Sequence, residues 1–189
     1  VRLLSELCRQ ADGKPVEVLG LLDNKRRTLG AKRNALVSMA RGDYVAFVGD
    51  DDSVTNDYVD ALLDGITKGA DVVTFWMSLE EFEPVVYRFL LPAFPVVDGG
   101  PREHWGTPMD ICVWKREIAT QVRFPEVSAG EDGAWSEACA KLATTQYEIG
   151  KTLYFRKVDR LKSETSRNSP CARDTLWKEP SLRRKDWSR

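Results

Sequence analysis

Apolar and polar positions recur along this chain in two rhythms, and their order predicts an alternation of helices and strands. Leu3 to Gln10 has the spacing of a short amphipathic helix, closed by the Asp12-Gly13 turn and Pro15. Val16 to Leu22 reads as a strand ending in the polar pair Asp23-Asn24. Thr28 is placed to cap a helix running to about Ala40, with Leu29, Leu36, Val37 and Ala40 on one face and Gly42 as its terminator. Tyr44 to Val48 predicts a second strand. Asn56 is placed to cap a helix striped by Val59, Leu62, Leu63 and Ile66, and Val72 to Trp76 predicts a third strand.

Polar residues gather where these strands end, so the order points to an α/β fold with a mostly parallel, Rossmann-like sheet flanked by helices. Such a sheet normally begins with a strand, whereas this chain opens on a helix, and a first strand upstream of Val1 is expected. From Ser78 to Pro108 the periodicity fails amid prolines, Gly99-Gly100 and scattered aromatics, the pattern of a binding loop or lid. Regularity resumes with a short strand at Ile111 to Trp114 and a helical turn or two from Lys115. A helix follows from Ala134 to about Leu142, opened by Gly130-Glu131-Asp132-Gly133, and a last strand runs from Glu148 to Arg156. The expected organisation is one domain over residues 1–156 and a tail over 157–189.

At 189 residues the chain suffices for one domain with a proper core. No apolar run approaches the roughly 20 residues that cross a bilayer, and no signal-peptide pattern opens the chain, so no transmembrane segment is expected. The four cysteines are widely spaced and histidine occurs once, which argues against a zinc site and for reduced thiols in a cytoplasmic setting. The net charge of −1 hides an asymmetry: residues 156–189 hold 11 Lys/Arg against 5 Asp/Glu, a net of +6. Such a tail suits an anionic partner, whether nucleic acid, an acidic membrane or a phosphorylated acceptor; equally, it folds back to neutralise the acidic body.

The chemistry concentrates in Asp50-Asp51-Asp52, three carboxylates at the end of an apolar run. Adjacent anions there call for a cation, and hard oxygen ligands favour Mg²⁺ or Mn²⁺ with a diphosphate; the plain alternative is a solvated acidic turn. About 80 residues on, Glu131-Asp132 opens a helix, whose positive end favours an anion, either as a simple helix start or as a reactive carboxylate. A carboxylate facing a metal-bound diphosphate ester suits displacement at a sugar's anomeric carbon.

Lys32-Arg33-Asn34, Gly42-Asp43-Tyr44-Val45, Phe47-Val48-Gly49-Asp50-Asp51-Asp52 and Gly130-Glu131-Asp132-Gly133-Ala134-Trp135 together resemble the family 2 glycosyltransferases of the GT-A fold, compact phage-encoded members included. The resemblance covers roughly Val16 to Arg156. It implies a metal-dependent transferase that moves a sugar from a nucleotide-sugar donor, with uridine as the base, to an acceptor hydroxyl with inversion. It places Asp23 near the nucleobase, Arg33 and Asn34 near the nucleotide, and Lys32 near phosphate, although Lys32 and Arg33 equally suit a solvated helix face. The acidic register stays open. Against a Phe-Leu-Asp-x-Asp-Asp pattern, Gly49 takes the first acidic position, Asp50 reaches the ribose and Asp51 is the metal ligand with Asp52 nearby; read literally, Asp50 and Asp52 pair. Asp132 matches the catalytic base and Glu131 its support. Trp135 faces an acceptor or the core, and His104 lies in the acceptor region or is structural.

Acceptor and class remain divided. A glycan is the family's usual acceptor; the basic tail with Trp177 and Trp187 suits hydroxymethylated pyrimidine in DNA. A nucleotidyltransferase would also use acidic strand ends, though no glycine-rich phosphate loop is visible, and a degenerate nucleotide-sugar binding module would not need both carboxylate clusters.

Overall fold

The structure, a computed structural model, describes residues 2–80 and 85–157. Residues 158–189 of the basic tail, with Trp177, Trp187 and Cys171, lie outside the described residues.

Helix α1 (Arg2–Ala11) packs against α3 (Tyr58–Ile66). Gln10 joins the two: it donates to the Thr55 carbonyl at 2.8 Å and accepts from the Val59 amide at 3.0 Å. Helix α2 (Leu29–Met39) begins where expected, because the Thr28 hydroxyl accepts from the Ala31 amide at 3.2 Å and satisfies one of the donors a helix start leaves open. Helix α3 differs in detail. Its N-cap is Asp57 rather than Asn56, and it makes no side-chain cap bond.

Strands β1 (Tyr44–Val45), β2 (Ser53–Val54), β3 (Val72–Glu80), β4 (Val85–Phe89), β5 (Val97–Gly100), β6 (Glu103–Gly106), β7 (Val113–Lys115) and β8 (Gln146–Lys157) form one sheet. Its main order is β1-β7-β3-β4-β6-β5, with β8 beside β3 and β2 beside β8. The α/β class stands, but the expected mostly parallel pairing gives way to a mostly antiparallel one. Only β3 with β8 and β4 with β6 run parallel among the described pairs. Alternating helices and apolar runs reveal that strands exist, not which neighbour each one takes. The run from Val16 to Leu22 joins no ladder among the described residues, and Leu22 is 91% exposed.

The excursion from Ser78 to Pro108, expected as an irregular loop, contains β4, β5 and β6. Arg88 ties it down from between the rings of Trp76 and Trp105, at 5.4 and 5.5 Å, with ion pairs to Glu148 and Glu103. These contacts join residues distant in sequence, so no local period announces them.

Helices α4 (Arg116–Ala119) and α5 (Glu131–Leu142) follow β7. The core lies between sheet and helices, around Val72, Val73, Phe75, Trp114, Phe124, Trp135 and Leu153. Trp135 is 1% exposed, stacks on Phe124 at 4.5 Å and donates to the Val122 carbonyl. It therefore builds the core, which rules out the acceptor-stacking role that its position suggested. No described helix is long and apolar enough to cross a membrane.

Candidate functional site

The first carboxylate cluster is a tight turn. The Asp52 amide donates to the Gly49 carbonyl at 3.2 Å, which leaves Asp50 and Asp51 as its two central residues, both exposed. Asp52 points back into the protein. Its Oδ2 accepts from the Tyr154 hydroxyl at 2.5 Å and its Oδ1 from the Lys157 amide at 3.0 Å. Burial pushes the Asp52 carboxyl up despite these bonds.

The segment before this turn runs beside the one that carries the second cluster, because the Phe47 amide donates to the Asp110 carbonyl at 3.2 Å. There Arg33, from α2, bridges two acids. It pairs with Asp110 at 3.0 Å and with Glu131 in a second, very short contact. The guanidinium lies over the rings of Phe47 and Phe124, at 5.7 and 5.6 Å. Asp110 and Glu131 are each 3% exposed. Burial, reinforced by Asp132 and Glu131, outweighs Arg33 and pushes Asp110 up to about 6; burial likewise raises Glu131. Asp132, next along α5, accepts from the Gly133 amide at 2.8 Å and has no ion pair among the described residues. Arg156 on β8 acts electrostatically on both Asp110 and Asp52, so the clusters share one field.

The remaining residues expected at the site divide. Asp23, with a side chain 9% exposed, pairs with Lys32 and Arg27, each at 3.1 Å. Burial alone would raise this carboxyl, but the two cations outweigh it and hold it below the usual range. Asp23 Oδ1 is buried with the Lys32 ammonium 3.1 Å away, so its charge is met within the protein. Asn34 is engaged within the chain. It donates to the Phe124 carbonyl at 2.9 Å and accepts from the Phe124 amide at 2.8 Å, which holds residues 124–127 against α2. The fit is so close that a Cβ on Gly30 would lie 1.8 Å from the Pro125 oxygen. His104 is on β6, separated from β7 by β3 and β4, with the Tyr87 ring at 5.0 Å and an enclosed Nδ1 that lacks a hydrogen-bond partner. It does not join the Arg33 cluster.

Three residues of this corner carried no sequence motif: Asp110, Tyr154 and Arg156. The one available signal was Asp110 itself, a charge set directly before the apolar run Ile111-Cys112-Val113-Trp114.

Among the described residues no group of three or more His, Cys, Asp or Glu is arranged to hold a metal by itself. A Mg²⁺ or Mn²⁺ ion that travels with a diphosphate needs only one or two protein carboxylates. The exposed Asp51, with Asp50 beside it, fits that requirement.

Similar structures exist. The chain is similar to residues 1–349 of S. aureus TarS in complex with UDP-GlcNAc, at 17% identity and a TM-score of 0.60, covering 89% of this chain and 49% of that one. Against the same TarS fragment in complex with UDP, the identity is 18% and the TM-score 0.57, with 85% and 48% covered. The present chain thus spans about half the length of these structures, and at such identities the likeness shows a shared GT-A fold. No curated protein sequence matches significantly. The family model for glycosyl transferase family 2 matches residues 2–114, well over half of the chain, and the chain belongs to that family.

Proposed function

We propose that this chain transfers a sugar from a nucleoside diphosphate donor, of the UDP-sugar class, to an acceptor hydroxyl with inversion at the anomeric carbon. The observation that carries this reading is the division of labour among Asp110, Glu131 and Asp132. Arg33 holds the first two in ion pairs, while Asp132 keeps its carboxylate clear of any ion pair among the described residues. Asp132 is then available to take the proton of the attacking hydroxyl as its oxygen bonds to the anomeric carbon. The bond from that carbon to the diphosphate oxygen breaks, and the diphosphate departs with the electron pair.

Asp51, with Asp50, would hold a divalent cation at the exposed turn, and that cation would supply the counter-charge for the departing diphosphate. Asp23, held charged by Lys32 and Arg27, supports the uridine assignment as a carboxylate able to accept from the imide N–H of uracil. The UDP and UDP-GlcNAc complexes of the similar TarS structures support the same donor class. The net charge of +6 over residues 156–189 supports an anionic acceptor, and buried thiols at Cys112 and Cys139 suit a reducing cytoplasm.

The test is calorimetric binding of UDP with Mn²⁺ and with EDTA, followed by transfer assays over a panel of UDP-sugars. The expected result is metal-dependent UDP binding that weakens sharply in Asp51→Asn. Equal affinity with Mn²⁺ and EDTA removes the metal, and absence of UDP binding removes the donor class. A gel shift with hydroxymethylated DNA, steeply weakened by salt, selects DNA over a glycan as acceptor.

A further inference from the structure

The acidic register leaves Asp51 and Asp52 as rivals for the diphosphate, and Gly49 stands where the related pattern has an acid. We infer that Tyr154 is a positioning residue of the donor turn: its hydroxyl pins Asp52 back over Gly49, so that Asp52 anchors the turn and Asp51 is the one of the pair that meets the diphosphate and its cation. This rests on the functional reading above and assigns that site a residue on β8.

Two groups of the turn meet the same oxygen. Tyr154 donates to Asp52 Oδ2 at 2.5 Å and accepts from the Gly49 amide at 2.9 Å. With the Lys157 amide on Oδ1 at 3.0 Å, both oxygens of Asp52 face β8. The anchor is firm because Tyr154 is 1% exposed and its ring stacks on Phe75 at 6.4 Å.

Gly49 completes the device. A Cβ there would lie 2.6 Å from Asp52 Oδ2, a separation real atoms do not adopt, so any side chain at 49 displaces Asp52 from the place where Tyr154 holds it. Asp52 is the flexible partner in that clash and can swing away without unfolding the turn. The glycine and the tyrosine are therefore two halves of one latch, one opening the space and the other closing the bond. Either half removed takes the tyrosine hydroxyl from Asp52, which then keeps only the Lys157 amide, and loosens the turn that presents Asp51.

Tyr154→Phe keeps the ring and removes the hydroxyl; Gly49→Ala keeps the hydroxyl and crowds out Asp52. Two readouts separate the roles. Amide hydrogen exchange over residues 46–53 reports the latch without any ligand, and Mn²⁺ electron paramagnetic resonance titrations with UDP report presentation of Asp51. Both variants are expected to exchange about tenfold faster at the turn and to bind Mn²⁺–UDP about tenfold more weakly, the scale of one hydrogen bond to a charged group. Tyr154→Phe combined with Asp52→Asn should be no worse than Tyr154→Phe alone, because the hydroxyl that Asp52 meets is already gone. Unchanged exchange in Tyr154→Phe overturns the latch. So does Asp52→Asn abolishing Mn²⁺–UDP binding while Tyr154→Phe leaves it intact, since Asp52 is then itself the ligand. A wild-type protein that binds no Mn²⁺–UDP overturns the functional reading instead, whatever the exchange shows.

Discussion

Asp71 and Asp110 lie at opposite ends of β7, both largely buried, and they have opposite electrostatic fates. Asp71 is surrounded by donors: the Thr144 and Thr145 amides at 2.9 and 3.1 Å, the Thr144 hydroxyl at 2.9 Å and Lys115 Nζ at 2.9 Å. Burial works against its charge, but these bonds hold the carboxyl far below the usual range. Asp110 has one ion-pair partner among the described residues, Arg33, which it shares with Glu131, and burial with a third acid close by pushes it up to about 6. The same side chain is structural where its charge is fully met and primed for chemistry where it is not. One end of the sheet fastens the chain; the other keeps charge in reserve.

The largest expected effect lies at the reserved end. Asp132→Asn keeps the size and hydrogen-bonding reach of the side chain but loses its basicity. Transfer in steady-state assays should fall by roughly 10²–10⁴-fold with UDP affinity unchanged, the usual worth of general-base help. Wild-type turnover in that variant would move the base elsewhere, with Glu131 the next residue to replace.

At the fastened end the effect should appear as stability rather than rate. Asp71→Asn leaves several donors facing a neutral amide and should cost about 2 kcal/mol in urea unfolding, the scale of hydrogen bonds to a charged group. The wild type's advantage should also fade in acid. A depressed carboxyl contributes above its unfolded value near 3.9 and loses that contribution as pH falls below it. An advantage constant from pH 7 to pH 2 would contradict the bonding described.

Asp110→Asn gives the opposite sign. A raised carboxyl costs nothing below its unfolded value near 3.9, and its cost develops as pH rises through about 6. The stability of wild type relative to Asp110→Asn should therefore fall between about pH 4 and pH 7, as thermal unfolding at matched ionic strength would show. A flat difference would mean that Arg33 fully neutralises Asp110. The smallest effect is expected at the Thr28 cap, where Thr28→Ala should cost about 1 kcal/mol without changing the pH dependence at either end of β7.

How far the sequence revealed this molecule follows the range of the forces involved. Helix α2 and its Thr28 cap, the stripe of α3 and the acidic start of α5 depend on neighbours within a turn, and all were legible. The strands between Val85 and Gly106 were not, because they are held by Arg88 and its partners across the sheet. Strand direction was missed for the same reason. The Asp triplet and the Glu131-Asp132 pair stood out as motifs. Asp110 and Tyr154 stood alone in sequence and acquire meaning only when folding sets them beside Arg33 and Asp52.

The close approach of Gly30 to Pro125 bears on how this protein can be engineered. Replacing a helical glycine by alanine is a standard way to raise melting temperature, gaining up to about 1 kcal/mol. At Gly30 the added methyl would fall 1.8 Å from a backbone oxygen that cannot swing aside. The usual gain reverses sign there, and a stabilising library should leave position 30 untouched.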